Sequence, residues 1–281
     1  MGERIAERYE ILGELGAGAL GEVYRVRDLT NDAVLAMKLL KPLPPHTGAQ
    51  GRFEREFAVI SKLEHRSIVQ VHEFGMHGDR PYYTMELLDG CDLGFYVSHL
   101  RPEPIDGDDG GKYARYASRI AYILHQIADA LAVAHDHEII HRDLKPENVF
   151  VKPSKFPRAR LLDFGHARAD DAQDLTRTGS VLGTAHYLPP EQAMARAVTP
   201  QADLYSLGCV YFEALVGRPP FVSDNAMQVI LAHVRQPAPD PRTLDDRVPD
   251  AAAELCLNLL EKNVADRPAD ARSVSQALSR L

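Results

Sequence analysis

Asp143 and Asn148 stand five residues apart, and Asp163 follows in an Asp163-Phe164-Gly165 turn. A carboxylate, an amide oxygen and a second carboxylate in that order suit the movement of a phosphoryl group. Asp143 can accept the proton of an attacking hydroxyl, while Asn148 and Asp163 offer the hard oxygens that Mg²⁺ prefers. Lys145, two positions after Asp143, can offset charge that develops in the transition state. Far upstream, Gly16-x-Gly18-x-x-Gly21-x-Val23 puts glycines where backbone amides could approach phosphates that a side chain would keep away. Alone, that pattern is weak. A dinucleotide turn would lead from strand into helix, whereas Val23-Tyr24-Arg25-Val26 continues as strand, so a hairpin lid is expected. Residues 34–38 form a second apolar strand ending in a lone lysine, Lys38.

Several elements must hold these groups. Phe53, Phe57, Ile60 and Leu63 recur at helical spacing, which predicts an amphipathic helix over 51–64 with Glu56 beside its buried stripe. Segments 68–74 and 82–87 read as further strands and complete a five-stranded sheet. Residues 101–112 are rich in Pro, Gly and Asp and read as a surface loop or insertion. Ile120, Ile123, Leu124, Ile127 and Leu131 then mark a helix leading towards Asp143. His135-Asp136-His137 closes that helix and packs beneath the loop that carries Asp143; with no Cys or further His at ligand spacing, a metal site there is disfavoured. Segments 149–151 and 160–162 read as a short hairpin that delivers Asp163. Thr199-Pro200 is a helix start with Thr as cap, and 201–216 is apolar nearly all round, as befits the middle of a lobe.

The chain has 281 residues, 45% of them hydrophobic, enough for a sizeable core. Its net charge of -8 gives no whole-chain electrostatic case for nucleic acid. Cys91, Cys209 and Cys256 are widely spaced, which fits a reducing compartment and a cytoplasmic location, or the cytoplasmic portion of a longer membrane-anchored protein. No apolar run reaches the ~18 residues of a membrane span, and residues 1–10 are too charged for a signal peptide.

The run His141-Arg142-Asp143-Leu144-Lys145-Pro146-Glu147-Asn148 fits the template H-R-D-L-x-x-x-N without a mismatch. It resembles the catalytic loop of eukaryotic-type protein kinases, and Lys145 resembles the serine/threonine branch, as in bacterial members of the family. The resemblance covers residues 9–281. It implies an α+β bilobal fold: a small, mainly antiparallel sheet lobe with one helix over about 9–89, and a larger helical lobe over about 90–281. The implied activity is ATP-dependent transfer to Ser or Thr hydroxyls of proteins, with Mg²⁺, or Mn²⁺ in its place, as cofactor.

The same resemblance assigns roles residue by residue. Leu15, Gly16, Gly18, Gly21, Val23 and Ala36 would contact nucleotide, and Lys38 would hold the α- and β-phosphates and pair with Glu56. Leu and Met stand in residues 34–38 where the family segment has Val and Ile. Met85 would be the gatekeeper, the backbone of Glu86 and Leu88 would bond the adenine edge, and Asp92 would touch ribose or cap the next helix. Asn148 and Asp163 would ligate metal. Residues 163–191 would be the activation segment, closing on Pro189-Pro190-Glu191 where the family usually shows Ala-Pro-Glu. Thr176 and Thr178 resemble twin autophosphorylation sites, and Arg142 supplies a cation that a phosphothreonine could order. Thr184 would bridge Asp143 and Lys145, Asp203 would hold the catalytic-loop backbone, and Arg267 would pair with Glu191. Protein substrates are the implied partners, with a homodimer for trans-autophosphorylation as a second.

Overall fold

The computed structural model describes residues 4–18, 21–42, 49–103, 111–164 and 181–281; at residues 49, 50, 52, 53, 55, 56, 181 and 182 it describes backbone only. The chain divides into two compact units, Met1–Asp89 and Gly90–Leu281.

The first unit is an antiparallel sheet with one helix. Its elements are β1 (Arg4–Ile5), β2 (Tyr9–Gly18), β3 (Gly21–Asp28), β4 (Val34–Leu40), α1 (Ala49–Ile60), β5 (Val71–His77) and β6 (Arg80–Met85), and the sheet order is β1-β2-β3-β4-β6-β5. The sequence reading gave five strands; the short β1 is a sixth. It forms because Ile5 is an anchor: it is buried in a core with Tyr9, Val26, Met37, Leu39 and Tyr82, and burying it pairs Ile5 with Tyr9. Two register shifts in β2 skip Leu12 and Leu15, bending the strand on its way to the glycine turn. Phe57 lays α1 against the sheet, its ring 5.8 Å from Phe74 and 6.4 Å from Tyr83. Arg8 ties the first turn to two strands, meeting Asp28 at 2.7 Å and Glu73 at 2.9 Å. Hydrogen bonding by Arg8 holds the Asp28 carboxyl well below the usual carboxylate range.

The second unit is mainly helical. It opens with β7 (Cys91–Asp92), α2 (Leu93–Leu100) and α3 (Gly111–Asp136), then β8 (Val149–Lys152) and β9 (Arg158–Leu161), which join β7 in a three-stranded sheet. After these come α4 (Val181–Ala185), α5 (Pro190–Ala193), α6 (Gln201–Val216), α7 (Ala226–Arg235), α8 (Asp250–Leu259) and α9 (Ala271–Leu278).

α6 is the central rod: Leu204, Tyr205, Leu207, Cys209, Tyr211, Phe212 and Leu215 are all buried to zero exposure. A buried helix end must satisfy its orphan carbonyls. The hydroxyls of Tyr113 and Tyr116 on α3 do so, donating to Leu215 O and Ala214 O at 2.6 Å each, and Gly217 ends the helix at φ 84°. Thr199 does not cap α6. The N-cap position is Pro200, which has no side-chain donor or acceptor, and the Thr199 hydroxyl bonds the Gln201 side chain instead. The loop expected over 101–112 is shorter than the spacing of Pro and Gly suggested, because α3 already begins at Gly111. Residues 104–110 lie outside the described residues, and Arg101 fixes the near end of that loop to Leu215 O (3.0 Å) and Asp245 (2.5 Å).

Candidate active site

α3 ends at Asp136, and the chain then runs as an irregular loop to a short 3₁₀ turn at Pro146–Asn148 before β8 begins. An irregular loop exposes backbone donors that need partners. Asp203, buried in the first turn of α6, supplies them. Its Oδ2 accepts from the His141 amide at 2.8 Å and its Oδ1 from the Arg142 amide at 2.9 Å. The imidazole of His135 donates to the same Oδ2 at 2.8 Å. These bonds hold Arg142 in a left-handed conformation, φ 66°, that a non-glycine residue adopts only when its surroundings impose it. Gln192 on α5 adds a bond to Arg142 O at 3.2 Å.

The support continues to Asp143. His141 donates from Nε2 to Leu162 O at 2.8 Å, which fixes its tautomer, and its Nδ1 accepts the Asp143 amide at 3.3 Å. Its ring lies 5.0 Å from that of Phe164. Lys145 Nζ reaches Asp143 Oδ2 at 2.9 Å and the Thr184 hydroxyl at 3.4 Å. Thr184 thus meets the lysine directly. Asn148 Nδ2 donates to Asp143 O at 2.7 Å, so its amide oxygen points the other way.

The described residues fit a divalent cation. The Leu162 amide donates to Asn148 O at 2.8 Å, and Val149 pairs with Leu161 across β8 and β9. Asp163 is therefore the next residue along from a position bonded to Asn148, and an amide oxygen and a carboxylate are the hard donors that such a cation prefers. Asp163 itself sits at φ 47°, a second left-handed non-glycine residue in this site. Among the described residues no cluster of three or more His, Cys, Asp or Glu forms a metal site, and His135 is engaged with Asp203.

At the far end of the segment, Glu191 and Arg267 form a two-pronged pair at 2.7 and 2.9 Å, with side chains 5% and 0% exposed. Arg267 also donates to the carbonyls of Gln201 and Glu261, so its charge is met from several sides. Tyr187 donates to Glu213 at 2.5 Å, and burial pushes the Glu213 carboxyl up.

In the first unit, Lys38 is buried on β4 opposite Val23 and Tyr83, and Ala36 pairs with Met85. Gly21 is demanded by the fold: at φ 154° a Cβ there would stand 2.1 Å from Leu39 O. Gly16 and Gly18 differ, for a Cβ at either meets nothing within 4 Å among the described residues. Packing does not require glycine there, and a polyanion lying against the backbone would. Leu15 is half exposed and Val23 partly buried. The Glu86 amide donates to Gln70 O at 3.0 Å, so any bond it offers an adenine edge comes from its carbonyl, while Leu88 is partly buried. Asp92 is the N-cap of α2 and accepts the Phe95 amide at 2.8 Å.

The Glu56 side chain, Thr176 and Thr178 lie outside the described residues. The sequence placed His135 at the helix end beneath the loop of residues 141–148, which agrees with its bond to Asp203, but did not assign that partner and did not single out Gln192. A histidine one turn before the loop, and a glutamine directly after Glu191, were the available signals.

A braced loop that sets the Asp143 carboxylate beside Lys145 is the arrangement expected of a phosphotransferase of the protein-kinase class. The chain belongs to the protein kinase domain family, whose model matches residues 9–279. It is 38% identical over 270 residues to the DNA damage-responsive serine/threonine-protein kinase RqkA of Deinococcus radiodurans, covering 95% of this chain and 38% of that protein. It is 36% identical to serine/threonine-protein kinase PknD of Mycobacterium tuberculosis, covering 92% of this chain and 37% of the other. Among solved structures, the kinase domain of M. tuberculosis PknI superposes with a TM-score of 0.74 at 26% identity, covering 99% of this chain and 98% of that one. The chain thus spans less than half the length of these curated relatives. No helix among the described residues is long and apolar enough to cross a membrane.

Proposed function

We propose that this chain is the catalytic domain of a serine/threonine protein kinase, moving the γ-phosphoryl group of ATP to hydroxyl oxygens of protein side chains. The bond set around Asp143 carries the reading. Its carboxylate is beside a lysine, its own backbone is held by His141 and Asn148, and Asp203 holds the two amides before it. In this role Asp143 takes the proton of the incoming hydroxyl as oxygen bonds to phosphorus, and Lys145 offsets charge on the oxygens in flight. Thr184, bonded to Lys145, orients the lysine and supports the serine/threonine assignment.

Lys38 would hold the α- and β-phosphates, paired with Glu56, with Gly16, Gly18 and Gly21 cradling the phosphates from their backbone. Ala36, Met85, Glu86, Leu88, Leu15, Val23 and Asp92 would surround the nucleoside. Mg²⁺, or Mn²⁺, held by Asn148 and Asp163, would neutralise phosphate charge when bound. Thr176 and Thr178 would be phosphorylated in trans within a transient homodimer, and Arg142 would receive the phosphate. Three free thiols support a reducing, cytoplasmic setting.

Incubation with γ-labelled ATP, Mg²⁺ and a generic protein substrate, followed by phosphoamino-acid analysis, tests the reading. Label on serine or threonine is the expected result. Label on an aminoglycoside or choline, with none on protein, would replace it with a small-molecule kinase. Phosphopeptide mapping of the incubated chain should find Thr176 and Thr178 modified; an active enzyme with both unmodified would remove the autophosphorylation step.

A further inference from the structure

The net charge of -8 conceals one strongly basic face. Residues 152–160 carry Lys152, Lys155, Arg158 and Arg160, and residues 113–128 carry Arg115 and Arg119, with no Asp or Glu in either stretch. The rest of the chain then holds 26 of the 32 cations against all 40 carboxylates.

The structure brings these two stretches together. Arg119 donates to Ser154 O, and to Lys155 O at 3.4 Å, laying α3 along the tip of the β8–β9 hairpin. Two turns on, Gln126 donates to Pro157 O at 3.0 Å and accepts the Ala159 amide at 3.1 Å. Arg115, Arg119, Tyr122 and Gln126 recur at three- and four-residue spacing and so share one face of α3. The first acid of the helix, Asp129, points elsewhere and meets Ser275 on α9 at 2.5 Å.

At the tip, Ser154 Oγ donates to Phe156 O at 2.5 Å and stiffens the turn. Phe156 stands 67% exposed, the highest value among the exposed large hydrophobic side chains described, with Lys155 Nζ 5.6 Å from its ring centre. Tyr122, on the same face of α3 as Arg119, is 43% exposed. Neither aromatic ring contributes to the core or to the site around Asp143.

We propose that this basic hairpin face, Phe156 at its tip, docks on the headgroup surface of an anionic lipid bilayer. A peptide added to the edge of β9 would need backbone donors and acceptors, and Gln126 and Arg119 already occupy those at Pro157, Ala159 and Ser154. Lys155, Arg158 and Arg115 are exposed around an exposed aromatic ring, the chemistry of a polybasic membrane contact.

Co-sedimentation of the chain with vesicles tests this. Vesicles of three parts phosphatidylcholine to one part phosphatidylglycerol should bind at an ionic strength of about 0.1 M and release at about 0.5 M, and phosphatidylcholine alone should not bind. Lys155→Glu with Arg158→Glu should weaken binding about tenfold or more, Arg115→Glu severalfold, and Phe156→Ser about threefold, all with an unchanged melting temperature. Equal binding to both vesicle types, or undiminished binding by the charge-reversed variants, would overturn the proposal. Tighter binding to polyglutamate or duplex DNA than to anionic vesicles would overturn it too, by assigning the face to a different anion.

Discussion

Residues 141–148 and the turn of the glycine hairpin follow opposite plans. Around Asp143 nearly every named polar group has an internal partner: Asp203 takes two amides and a histidine, His141 bridges to Leu162, and Asn148 bonds the Asp143 carbonyl. At Gly16 and Gly18 the described structure leaves open space where a side chain would stand. The difference teaches where precision comes from. A proton acceptor must be placed before substrate arrives, so the fold braces it. A phosphate cradle needs only backbone amides and room, and the ligand itself can complete it.

The largest expected break in this comparison is at the brace's far anchor. Arg267→Ala or Glu191→Ala leaves a buried charge without its partner and should lower unfolding free energy by about 3–5 kcal/mol in urea titrations. Loss of activity without loss of stability would contradict the anchoring role. Gly21→Ala comes next. Its Cβ would collide with Leu39 O, so a stability cost of about 1–3 kcal/mol is expected from backbone strain.

Gly16→Ala sharpens the contrast: unfolding should change by only about 0.5 kcal/mol, while KM for ATP rises. Equal destabilisation by the two glycine variants would show that the turn is braced after all.

The smallest effect concerns pH. His233 on α7 is fully buried, and its Nδ1 accepts the Tyr205 hydroxyl, which in turn accepts Lys262 at 2.8 Å. Burial, with Lys262 nearby, pulls the imidazole down from 6.5 to about 3. The unfolded chain therefore binds a proton between those values that the folded chain refuses, and stability falls as pH drops from about 6.5 towards 3. His233→Gln should flatten that part of the stability profile in circular-dichroism melts; an unchanged slope would show that other groups set it.

Much of this arrangement was legible in the residues, for a physical reason. The spacing of Asp143, Lys145 and Asn148 anticipates the bonds they make to one another, and 201–216 is apolar nearly all round because α6 is buried nearly all round. Less legible were the features set by tertiary context. Nothing local in Arg4-Ile5 announces a strand; Ile5 pairs there because a core vacancy beside Tyr9 and Tyr82 takes it. Thr199-Pro200 carries a capping signature, yet the side chain turns to Gln201. His135 was readable as a helix end packed beneath the loop of Asp143, but its partner Asp203 was not, because that residue lies 68 positions away.

The account turns on Asp143 as the proton acceptor. Single-turnover phosphorylation by Asp143→Ala, with nucleotide affinity measured on the same sample, tests that most directly. A fall in rate of about 10²–10⁴ with nucleotide binding retained is the predicted result. Near-wild-type turnover in a folded, nucleotide-binding variant would contradict it.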